Sequence, residues 1–238
     1  MTRQIFRLLM SLWALSILFA TTLMAGPRAL QLNDQEYFEA RGVNVLVFSN
    51  WYNGMFDDSK ISGIELIHHG VRTATNGDVR LHATPEQWDA IPEFVERKAD
   101  PDSQTVIATL RYPDHGFEYS IRVKAEGESI LITVTLPAEL PAALIGRAGL
   151  NLEFLPAAYF GKSFMLDGET GLFPLYPAGP KETEKGTRPV PLASGRQLAM
   201  APGDAQRRIT IESPDTDLAL YDGRSKAQNG WFVVQSLL

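Results

Sequence analysis

Asn50-Trp51-Tyr52-Asn53-Gly54-Met55-Phe56-Asp57-Asp58 places three large rings among Asn, Gly and Asp. Sugars offer apolar C–H faces to aromatic platforms and hydroxyls to Asn and Asp. The segment therefore has the make-up of a carbohydrate-contacting loop, with Trp51, Tyr52 and Phe56 as its candidate contacts. The competing reading is that the rings fold back and cap a core, as large aromatics usually do. In an extended chain Trp51 and Tyr52 would face opposite ways, and Gly54 would let the loop turn Phe56 towards Trp51. Tyr159-Phe160 and Phe173-Pro174-Leu175-Tyr176 carry the same ambiguity.

Other chemistry-bearing residues are weaker candidates. In His68-His69-Gly70, adjacent strand residues would point to opposite faces, so both imidazoles could not easily reach one metal ion. The pair reads as structural. A glycosidase needs two carboxylates about 5–10 Å apart across a cleft. Asp57, Asp58, Glu65, Asp89, Glu93, Asp114, Glu118, Glu153, Asp167 and Glu169 are available, but none stands in an acid/base motif. Most of them read as solvated turn charges. Gly161-Lys162-Ser163 lacks the upstream glycine of a phosphate loop, and there is no Gly-x-Ser-x-Gly elbow. The sequence assigns no catalytic residue, no metal ligand and no cofactor.

The elements that must position these residues are strands. Apolar or alternating runs recur at Val43–Phe48, Ile64–His68, Val79–His82, Thr105–Leu110, Phe117–Val123 and Ile130–Leu136. They continue at Leu150–Phe154, Leu198–Ala201, Ile209–Ile211, Leu218–Tyr221 and Trp231–Val234. Ile130, Ile132 and Val134 share one face of a period-two pattern. Asn76-Gly77 predicts a type I′ hairpin between Val71–Ala74 and Asp78–Leu81. Asp167-Gly168 and Asp222-Gly223 predict further turns. Only Pro85–Ile91 has room for a turn or two of helix. So many short strands predict an all-β chain, a large antiparallel β-sandwich. Pro177–Pro191, rich in Pro, Lys and Glu, reads as a charged excursion within that domain.

The N-terminus reads as an address. Arg3 and Arg7 precede an uncharged stretch, Leu8 to Ala25, with an apolar heart and small residues at its exit. That pattern is a secretory signal peptide over residues 1–25, cleaved after Ala25, with Ala29 as a second site. The mature module, 26–238, then has 20 basic against 28 acidic residues, a net −8 in place of −6. No basic stripe exists, which argues against nucleic acid as a partner. Cysteine is absent, so the exported protein has no disulfides and must rely on its own core. Export by a bacterium, to the periplasm or medium, fits this composition, with no membrane attachment after cleavage. The apolar end, Trp231 to Leu238, reads as a break within a longer chain.

The runs Val45–Tyr52 and Ile61–Leu81 resemble the N-terminal module of exported bacterial glycoside hydrolases classed with family 9, the cellulase-like endoglucanases. Asn151–Pro156, Tyr159–Ser163, Asp167-Gly168, Leu220–Arg224 and Gln228–Val233 continue the resemblance across the mature chain. It implies a non-catalytic sandwich followed by an immunoglobulin-like domain and a helical catalytic barrel. That catalytic domain would be the partner, and polysaccharide or oligosaccharide the ligand. No catalytic residue of such enzymes carries over onto this chain. The leading expectation is thus a carbohydrate-associated module of a polysaccharide-degrading hydrolase. The alternatives are a mutarotase- or lyase-like sandwich with its own carbohydrate activity, and a spacer without ligand.

Overall fold

Alternation with a period of two builds the longest strands. Phe117, Tyr119, Ile121 and Val123 are buried, while Glu118 and Arg122 between them are exposed. The computed structural model describes residues 29–53, 59–85, 89–177, 190–225 and 230–238, with only the chain path given for 51–53 and 59–61. The expected leader, residues 1–25, lies outside them.

The chain opens with β1 (Gln31–Leu32), β2 (Phe38–Ala40), β3 (Val43–Val47), β4 (Trp51–Asn53), β5 (Ser59–Ile61), β6 (Ile64–His68) and β7 (Val71–Arg80). A meander follows: β8 (Glu93–Asp100), β9 (Thr105–Tyr112), β10 (Phe117–Glu126) and β11 (Ser129–Thr135). Then come β12 (Gly149–Phe154), a one-turn helix α1 (Pro156–Tyr159), β13 (Ser163–Leu166) and β14 (Glu169–Leu172). The last strands are β15 (Ala193–Gly195), β16 (Gln197–Met200), β17 (Ile209–Glu212), β18 (Leu218–Asp222) and β19 (Phe232–Leu237).

Nine strands form one sheet, ordered β1-β2-β3-β6-β7-β12-β19-β18-β15. Two four-stranded sheets, β11-β10-β9-β8 and β14-β13-β16-β17, pack against it, and β4-β5 is a separate hairpin. All of the pairings are antiparallel. The fold is an all-β sandwich, as the recurring apolar runs predict. One continuous core joins Val45, Leu66 and Leu152 of the large sheet to Ala108 and Ile121 of the meander and Phe164 of the third sheet. Edge-on and tilted rings fasten the third sheet. Phe154 meets Tyr159 at 5.6 Å between centroids, and Phe173 meets Phe232 at 4.8 Å. Among the described residues no helix is long and apolar enough to cross a membrane.

Turn chemistry is only partly where the sequence places it. Asp167 and Gly168 have φ of +48° and +91° and close the β13–β14 hairpin, as predicted. Asn76-Gly77 does not turn the chain. β7 runs through it unbroken, and Asn76, at φ +51°, lies in a bulge opposite β12. The hairpin falls one strand earlier, at His69-Gly70, with φ of +49° and +75°. The left-handed residue was legible, but tertiary pairing decided whether it bent the strand or reversed it. β8 went unread because its sequence, Glu-Phe-Val-Glu-Arg-Lys-Ala-Asp, is charged and mostly exposed, as suits an edge strand.

Gly63 and Gly77 bring two backbones together beside this bulge. A Cβ on Gly63 would lie 2.2 Å from the Gly77 carbonyl oxygen, which is backbone and cannot swing aside. Gly63→Ala should therefore cost about 2 kcal/mol, the usual order for an overpacked site. Chemical denaturation of the variant checks this; an unchanged midpoint would mean that the two strands separate freely.

Candidate binding site

Glu65 is the hub of the site. Ile64 and Leu66 turn to the core, which leaves Glu65 on the opposite face of β6, where it is also fully buried. The β6–β7 register shifts on both sides of Leu66, and such bulges re-aim side chains. Thr75 Oγ1 donates to Glu65 Oε1 at 3.1 Å, and Arg72 Nε lies 3.1 Å from the same oxygen. Asn50 Nδ2 donates to Oε2 at 2.9 Å. The Asn50 carbonyl in turn accepts the Ser62 N–H at 2.9 Å. Asn50 and Ser62 flank the β4–β5 hairpin, whose first pair is Trp51 with Ile61. The buried carboxylate thus fastens the base of the aromatic hairpin to the sheet.

A second carboxylate extends the network. Glu153 on β12 pairs with Thr75 across the strands, is buried, and accepts Asn76 Nδ2 at 2.8 Å. The bulge that spoiled the expected hairpin is what delivers this donor. Asn151 and Gln235 continue the polar row. Gln235 Nε2 donates to Asn151 Oδ1 at 3.0 Å, and Asn151 Nδ2 donates to the His82 and Ala83 carbonyls at 3.1 Å.

Beyond the bulge, two tyrosines from the meander reach the end of β7. Tyr112 donates to the Val79 carbonyl at 2.8 Å and Tyr119 to Asp78 Oδ1 at 2.7 Å. Burial pushes the Asp78 carboxyl up to about 7, although the Tyr119 hydrogen bond, the Arg80 charge and the Val79 N–H pull it down. Burial also raises the Tyr119 hydroxyl well above the usual tyrosine range, and the neighbouring Asp78 adds to it. Burial works against the charge on Arg80, but Glu153 and the groups around it outweigh that, so its pKa rises.

The expectation of solvated carboxylates fails for Glu65 and Glu153, because sheet pairing supplies each with donors from distant sequence. It holds for Asp167, whose carboxylate takes the Arg196 and Gln197 N–H groups at the β13–β14 turn and is lowered by them. His68 and His69 diverge: the first is buried beside Thr73, the second exposed in the hairpin turn. Burial, then Arg207 and His69, lower the His68 pKa, so its ring is neutral near pH 7. Among the described residues no cluster of three or more His, Asp or Glu is arranged to hold a metal.

Trp51 and Tyr52 occupy β4, where the chain path alone is described, and Phe56 lies outside the described residues. The other aromatic pairs divide. Tyr159 and Phe173 are core, whereas Phe160 is partly exposed and Tyr176 is 82% exposed. Arg224 packs on Phe160 and holds the Pro174-Leu175 backbone. It forks onto buried Asp222 at 2.8 Å through Nε and Nη2, donates to the Pro174 and Leu175 carbonyls, and lies 5.0 Å from the Phe160 ring centre. Arg224 was missed in the sequence; the Asp222-Gly223 turn next to it was the available signal.

Chemically, the network positions. Both oxygens of Glu65 are engaged by three donors, and together they tie Asn50, at the base of the hairpin, to the sheet. The fold and site define an antiparallel β-sandwich that carries an aromatic hairpin on a buried polar face. No family model matches the sequence, and no curated protein or solved structure is significantly similar to it.

Proposed function

We propose that this chain is a carbohydrate-binding β-sandwich module of an exported bacterial glycoside hydrolase, presenting polysaccharide to a separate catalytic domain. The observation that carries the reading is the Asn50–Glu65 bond, which ties the Trp51-Tyr52 hairpin to the rigid centre of the large sheet. Binding residues on a short loop need such a scaffold, since an unanchored loop would lose affinity to its own ordering. The segments that resemble family 9 modules also contribute the buried and half-buried polar groups of these clusters: Glu65, Asn76, Asp78, Asn151, Glu153, Asp222 and Arg224. That coincidence supports one architecture shared with those modules. The signal-like leader supports export.

The test uses the exported protein. Its N-terminus should read from near Gly26, and it should be retarded in gels containing soluble cellulose derivatives or mixed-linkage glucan. Protein that keeps Met1, or that migrates identically with and without every polysaccharide, would sink the proposal.

A further inference from the structure

A second feature adjoins Glu65 through Arg72. The start of β7, α1 and the segment after β16 enclose a depression of about 310 Å³. Its lining includes Arg72, Lys162 and Arg207, three cations in a chain whose net charge is −6. That volume is at the lower end for small-ligand sites and admits one sugar ring.

The cations are not equivalent. Lys162 Nζ pairs with Asp204 Oδ2 at 2.6 Å, and Arg72, half exposed, turns its Nε to Glu65. Arg207 Nη1 donates to the carbonyls of Gln206 at 2.8 Å and His68 at 3.4 Å. Among the described residues it has no carboxylate within ion-pair distance. A planar guanidinium fixed by backbone carbonyls keeps donors for a carboxylate, which it can grip with two parallel bonds.

The remaining lining selects among anions. The Lys162 hydrogen bond, the Gln206 N–H and the nearby Lys162 and Arg207 charges hold the Asp204 carboxyl below its ordinary range, so it offers acceptor oxygens that a bare inorganic anion has no hydroxyl to use. It accepts hydroxyl donors readily, and the Gln206 amide can donate or accept. Cations for one carboxylate, beside acceptors for hydroxyls, match a sugar acid. We infer that this depression binds a uronate residue of an acidic glycan. The kind of ligand rests on the carbohydrate reading above; the charge selection stands on these residues alone. Glu65, shared by Arg72 and Asn50, puts this subsite and the hairpin on one network.

Titration calorimetry on the exported protein tests this with tri-galacturonate, cellotriose and sodium sulfate. Tri-galacturonate should bind at least tenfold tighter than cellotriose and weaken as salt is raised. Arg207→Ala should lower that affinity about tenfold, the loss of roughly one charge-assisted contact, while Arg207→Lys should retain part of it. If Arg207→Ala shifts the thermal midpoint, Lys162→Gln serves instead, with the same sense of change. Equal binding of acidic and neutral trimers, unchanged affinity in the Arg207 and Lys162 variants, or sulfate binding as tightly as the uronate would each overturn the inference. Trp51→Ala should weaken both trimers alike, so failure of the hairpin and failure of the basic depression give different patterns.

Discussion

Glu65→Ala should lower folding stability by about 3–4 kcal/mol. The substitution strands a buried donor, Thr75 Oγ1, and a half-buried one, Asn50 Nδ2, each worth about 1–3 kcal/mol when left without an acceptor. Arg72 adds less, because its side chain is 48% exposed and can turn to water. The cavity left by the carboxylate contributes further. Glu65→Gln should cost roughly half as much, since its carbonyl keeps one acceptor while its amide meets a donor. Urea titrations should show the midpoint falling with the slope unchanged. A loss below about 1 kcal/mol in the alanine variant would mean that the carboxylate does not hold the hairpin.

Asp78→Asn should flatten the dependence of stability on pH. An unfolded aspartate titrates near 3.8, but the folded Asp78 does so at about 7, so over that interval the native state holds the extra proton. Its stabilising contribution is complete below the unfolded value and drains away as pH rises through 7. Between pH 5 and pH 8 the wild type should lose about 2–3 kcal/mol from this group alone. Asparagine keeps an oxygen for the Tyr119 hydroxyl and the Val79 N–H, and it does not ionise. Subtracting the variant's pH profile from that of the wild type isolates the effect. Parallel profiles would show that Asp78 is ionised in the folded protein at pH 5.

Glu65 and Asp78 also show how far the sequence could be read. The strand that bears Glu65 was plain from Ile64–His68, but the carboxylate itself looked like any of ten acidic candidates. Its importance comes from Asn50 and Arg72, which only strand pairing and two bulges bring to it. Asn76 meets Glu153 across 77 positions, and Arg207 reaches His68 across 139. No local pattern encodes contacts at such separations. Local turn chemistry, by contrast, was legible at Asp167-Gly168, where nothing beyond the two residues is needed to reverse the chain. At Asn76-Gly77 the same chemistry was present, but Glu153 and the neighbouring strands used it for a bulge. The all-β class was open to reading because burial imposes its period on every strand, whereas the depression at Arg207 draws on three separate stretches of chain.

The most direct test of the central claim measures glycan affinity and unfolding on one variant, Trp51→Ala. If the Glu65-anchored hairpin is a binding platform, affinity for the bound polysaccharide should fall up to about tenfold, the worth of one stacked ring. Folding stability should change by less than about 1 kcal/mol, since a ring that meets ligand adds little to the core. A stability loss of about 3–5 kcal/mol, the cost of emptying a core aromatic site, together with unchanged affinity would contradict the account and make the hairpin part of the architecture.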